Sequence, residues 1–92
     1  MEKFELGNVV ITESISTRMK EDKHFDIFVK CSLGRYKNCD WGILCAEDKM
    51  AADDAVASGY MIMGAYKYKD EEIWIITEWD RSVTTILFPH ER

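Results

Sequence analysis

The stretch from Glu72 to Phe88, EIWIITEWDRSVTTILF, limits what this chain can fold into more than any other. Two runs, residues 73–77 and 83–88, are rich in β-branched and aromatic side chains. Such side chains suit a pleated, half-buried surface. Between them lies Glu78-Trp79-Asp80-Arg81-Ser82, where Asp80 and Ser82 can bond their own backbone and reverse the chain. The pattern predicts an antiparallel hairpin at the centre of a small sheet. Either Ile73 and Ile75 or Trp74 and Ile76 face the core. A slip of one residue exchanges the two sets, and both remain open at this level.

The rest of the chain supplies partners for that hairpin. Residues 4–11 (FELGNVVI) begin like a strand and break at Gly7-Asn8. Thr12 can cap a short helix from Glu13. Phe25, Phe28, Val29 and Leu33 recur at helical spacing, which predicts a second helix over about residues 26–33 with Gly34 as its stop. Residues 35–42 (RYKNCDWG) read as a loop. Ala46–Ser58 is the strongest helix, with Glu47 and Asp48 at its N-terminus and Gly59 at its exit. Its alanines allow close approach to a sheet, while Asp53 and Asp54 face water. Residues 60–68 form the next strand, and Pro89 ends the last one. The expected architecture is one α+β domain over residues 1–92. It has an antiparallel sheet of three or four strands, with two or three helices on one face.

Charge narrows the partners. The formal net charge is -5, and residues 40–80 hold 10 acidic but only 3 basic side chains. Direct nucleic-acid binding needs clustered Lys and Arg, so it is not expected. An acidic surface attracts a basic protein instead. No apolar run approaches the roughly 20 residues of a membrane span. Cys31, Cys39 and Cys45 are an odd number of cysteines, which points to a reducing, cytoplasmic setting rather than a disulfide framework.

Those cysteines lie around one loop. With His24, His90 or a carboxylate as fourth ligand they form a candidate structural zinc set, although their spacing is not that of paired knuckles. Asp80 could serve a small metal-dependent hydrolase. No nucleophile-and-base pair stands at recognisable spacing, however, and a structural turn in which Arg81 pairs with Glu78 or Asp80 is the simpler reading. Trp79, in a turn among charges, is the aromatic side chain expected at a binding surface.

The segments FELGNVVIT, DWGILCAEDKMAADDA and IWIITEWDRSVTTILFPHE resemble a family of small acidic proteins carried by plasmids, prophages and integrated elements of bacteria. The resemblance is strongest in DWG, in EDK-x-A-x-D and in WIITE-x-DRSVTT, and weakens over residues 14–37. Family members carry a histidine where Tyr36 stands and a glycine where Cys39 stands. The resemblance implies an anti-defence role. In that role an anti-CRISPR protein binds a host RNA-guided effector nuclease and blocks loading of target DNA. The expected contacts are Asp40, Glu47, Asp48, Asp53, Asp54, Asp70, Glu71, Glu72, Glu78, Trp79 and Asp80. The alternatives are an accessory protein of the mobile element that acts through a protein partner, and the hydrolase.

Overall fold

The C-terminal hairpin forms where its residues place it, and a computed structural model describing residues 3–92 shows what surrounds it. In chain order the elements are β1 (Asn8–Ile11), α1 (Glu13–Glu21), α2 (Lys23–Lys37), α3 (Ala46–Ser58), β2 (Ile62–Tyr68), β3 (Glu71–Thr77), β4 (Val83–Leu87) and a 3-10 turn, Pro89–Glu91. The four strands lie in the order β1-β4-β3-β2. β3 pairs antiparallel with β2 and β4, with Ile75 opposite Ile86 and Thr77 opposite Thr84. The α+β class and the strand number agree with the sequence. The sheet is mixed, however, because β1 runs parallel to β4. The reason lies at Thr12, whose hydroxyl caps α1 by accepting from the Ile15 amide. The chain therefore leaves β1 into a helix instead of a hairpin, as a parallel crossover requires.

The register leaves Ile73 and Ile75 in the helix-packed core with Phe25, Val29 and Tyr36. Ile76, on the opposite face, is also buried, and Trp74 is half-buried. The second helix is longer than its apolar spacing predicts. Asp22 accepts hydrogen bonds from the His24 and Phe25 amides and so starts α2 at Lys23. Gly34 does not stop it. A Cβ there would meet nothing within 4 Å, so the glycine sits in open space and costs only helix propensity. α3 spans the predicted residues and ends on Gly59 in the left-handed conformation, φ 77°.

A chain of buried hydroxyls ties the layers together. Thr84 Oγ1 donates to the Leu6 carbonyl (2.7 Å), Thr77 Oγ1 lies 2.7 Å from Thr84 Oγ1, and Tyr36 Oη lies 2.7 Å from Thr77 Oγ1. Each hydroxyl owns one proton. Since Thr84 gives its own to Leu6, Thr77 must donate to Thr84, and Tyr36 to Thr77. The run from α2 through β3 and β4 to the N-terminal segment thus has one direction. All three side chains are buried, and among the described residues no buried side-chain polar atom lacks a partner. Burial raises the Tyr36 phenol well above its ordinary range, so it stays a donor.

The direction makes the two threonines unequal. Thr84→Val strands both the Leu6 carbonyl and the Thr77 proton, and should cost about 1–3 kcal/mol. Thr77→Val strands neither, since Tyr36 can turn to the Ile62 carbonyl at 3.2 Å. Denaturant midpoints of the two variants, at constant slope, check the order.

Candidate functional site

The turn between β3 and β4 is built around Arg81, which has a positive φ of 60°. That conformation is uncommon for a residue with a side chain. It accompanies a guanidinium turned back under the loop. One terminal nitrogen donates to the Tyr60 carbonyl (2.8 Å) and the other to the Ala55 carbonyl near the end of α3 (2.9 Å). Longer bonds reach the Glu78 and Trp79 carbonyls at 3.2 and 3.3 Å. α3 has no basic residue in its own last turn. Arg81 supplies the cation its dipole favours from a distant part of the chain. The expected pairing of Arg81 with Glu78 or Asp80 is therefore corrected: its partners are backbone carbonyls. Asp80 is engaged by Ser82, whose amide and hydroxyl donate to it at 3.1 and 2.6 Å and hold its carboxyl below the usual carboxylate range.

This clamp presents two aromatic side chains to solvent. Trp79 is 68% exposed and Tyr60 is 69% exposed, and Arg81 bonds the carbonyls of both. Next to Tyr60, a groove of about 240 Å³ runs between α3 and β2, lined by Leu44, Asp48, Ala51, Ala52, Met61 and Met63. Small alanines on α3 leave room for it, and the two methionines give it an adaptable apolar wall. Tyr60 and the methionines follow a helix-ending glycine, where a sequence pattern reads only the start of a strand.

The acidic side chains divide by what they already hold. Asp40 accepts two bonds from the Arg35 guanidinium (2.8 and 3.1 Å) and one from the Gly42 amide, and its carboxyl is held low, chiefly by Arg35. Asp53 accepts from the Trp41 indole at 2.8 Å, although it lies on the exposed side of α3. Glu71 pairs with Arg18, and Glu72 accepts from the Trp74 indole at 2.7 Å. These four maintain the fold. The carboxylate groups of Glu47, Asp48, Asp54, Asp70 and Glu78 accept no hydrogen bond from the described residues. Asp70 lies at the β2–β3 turn, at the opposite end of β3 from Glu78, so the acidic excess does not form one face.

The DWG segment is structural on the same evidence. Gly42 has φ 74°, and a Cβ on it would stand 1.8 Å from the Ala65 carbonyl oxygen. Trp41 is buried, and the Tyr66 hydroxyl donates to the Asp40 carbonyl at 2.7 Å. Cys31 and Cys45 are exposed, while burial pushes the half-buried Cys39 thiol up. Among the described residues no three His, Cys, Asp or Glu side chains stand together as a metal-ligand set. Cys31, Cys39 and Cys45 are thus not brought together with a fourth ligand. No described helix is long and apolar enough to cross a membrane. The chain matches no family model, no curated protein and no solved structure.

Two outcomes follow for the clamp and the loop. Arg81→Ala should cost about 1.5–3 kcal/mol, because bonds from a charged donor are lost, whereas Arg81→Gly should cost less by relieving the positive φ. Trp79→Ala should leave the melting temperature almost unchanged. Lowered carboxyls such as Asp40 stabilise the fold above the unfolded carboxylate pKa, and that contribution is lost as pH falls through their depressed folded values. Stability should be level near neutrality and fall below about pH 4, with a weaker fall in Asp40→Asn, read by thermal melts across pH.

Proposed function

We propose that this domain works by binding a partner protein, and that its contact surface is the α3–β2 groove together with Trp79 and Tyr60. The observation that carries the reading is the clamped turn. A large aromatic side chain held outward on an immobilised loop has little backbone entropy left to lose on binding. The groove that begins at Met61, next to Tyr60 in the chain, gives a partner's side chain somewhere to enter. Asp48 within the groove, Asp54 on the same helix, and Glu78 beside Trp79 are free carboxylates, which favours a basic partner surface. Chemistry at Asp80 is disfavoured by its lowered carboxyl, which makes it a weak base.

The class of partner rests on the resemblance to mobile-element proteins. It points to a nucleic-acid-targeting enzyme of the host's defence, such as an RNA-guided effector nuclease. Such enzymes hold nucleic acid in a positively charged channel. An acidic domain seated at that channel would exclude target DNA without cutting anything.

The test is a binding titration against candidate effector nucleases at low and high salt, with a cleavage assay alongside. Trp79→Ala should weaken binding by about 2 kcal/mol or more, roughly thirtyfold. Asp48→Lys with Asp54→Lys should slow association and flatten its salt dependence, since exposed charges act over only about 8 Å at physiological ionic strength. A partner bound without inhibition would turn the reading to an accessory factor. Absence of any effect from Trp79→Ala would remove the surface itself.

A further inference from the structure

The two edges of the sheet are treated differently. On the outer side of β2, Ala65 is already paired: its amide donates to the Trp41 carbonyl at 3.2 Å, and its carbonyl accepts from the Ile43 amide at 2.8 Å. α3 packs against the same strand. On the outer side of β1 nothing comparable is present among the described residues. The Asn8 and Thr12 amides donate to the Ser82 and Ile86 carbonyls, so residues 8, 10 and 12 point their backbone groups at β4. By alternation the N–H and C=O groups of Val9 and Ile11 point away from it. No hydrogen bond within the described residues uses them. Val9, Val10 and Ile11 are 43%, 44% and 40% exposed. β1 carries no charge, no proline and no bulge, the devices by which edge strands avoid pairing.

We propose that β1 pairs antiparallel with β1 of a second copy of this chain, about a twofold axis through Val10, joining two four-stranded sheets edge to edge. The strand is self-complementary in that register. Val9 stands opposite Ile11 of the second copy, and Ile11 opposite its Val9. Outward-pointing residues placed opposite one another exchange both N–H···O bonds. Every free group of the edge is therefore satisfied at once, and an apolar cross-strand pair forms on each side of the axis. Val10 meets Val10 on the other face. The same patch serves both copies, as a twofold interface requires. The edge itself is uncharged, and electrostatic opposition comes from the shared net charge of -5 and from Glu5 and Glu13, which flank the strand. Salt should screen that repulsion and strengthen the pairing, opposite to its effect on a basic partner at the groove. The short edge buries little area, so the pairing is weak and concentration-dependent.

The experiment is sedimentation velocity on the full chain from micromolar to millimolar concentration at two salt levels, with amide exchange followed residue by residue. The expected result is a rising dimer fraction, larger at high salt. The Val9 and Ile11 amides should become protected with concentration, whereas Val10 is protected throughout. Val9→Pro removes an outward N–H that no internal bond uses, so the fold should stand while the dimer weakens about tenfold or more. Val9→Lys keeps every backbone group and sets a charge against the apolar pair, giving the same loss if the proline variant misfolds. A monomer at every concentration, or a dimer unaffected by both substitutions, overturns the proposal.

Discussion

The fold depends on one buried line of hydroxyls. Tyr36, Thr77 and Thr84 pass their protons in sequence toward the Leu6 carbonyl, and each step crosses from one element to the next. Apolar burial alone would hold α2 against the sheet without choosing among nearby positions. A chain in which each hydroxyl has one proton to give tolerates no sliding, because a shift strands a donor in a dry interior. It also fixes the N-terminal segment at Leu6, the approach to β1. The parallel pairing of β1 with β4 and the antiparallel hairpin are thereby anchored to the same helix.

The two turns of the C-terminal region show a second use of polar groups. Arg81 spends its donors on backbone carbonyls of α3, Tyr60 and its own turn, not on a carboxylate. An exposed ion pair would have contributed little. Here the guanidinium adds a charged donor to the Ala55 carbonyl, which already accepts the Gly59 and Tyr60 amides, and joins the end of α3 to Tyr60 and the turn. Trp79 owes its fixed outward position to that arrangement. The proposed contact surface is a by-product of how the helix end is satisfied.

Much of this was legible in the residues. The β-branched runs marked β3 and β4, the small residues and Gly59 marked α3, and Thr12 marked the start of α1. What escaped did so for physical reasons. The cap at Asp22 lies next to a charged run that hides it. Gly34 reads as a stop, yet an exposed glycine is affordable inside a long helix. The parallel placement of β1 is set by long-range bonds to β4, which no local pattern contains. At the candidate site, Trp79 was visible as an aromatic among charges. Asp40, Asp53, Glu71 and Glu72 looked equally available for a partner, because composition cannot tell a free carboxylate from one already holding Arg35, Trp41, Arg18 or Trp74.

The occupied position in the middle of β2's outer edge has a consequence for growth. A sheet with two bare edges can add strands at both and extend into a fibre. Here the segment from Trp41 to Ile43 already fills one side at Ala65, and Gly42 lies so close to that strand that even a methyl group would not fit. Strand addition is obstructed in the middle of β2 and unobstructed along β1. A second copy that pairs along β1 in the twofold register uses up the open β1 edge of both molecules at once, so growth does not continue from that contact.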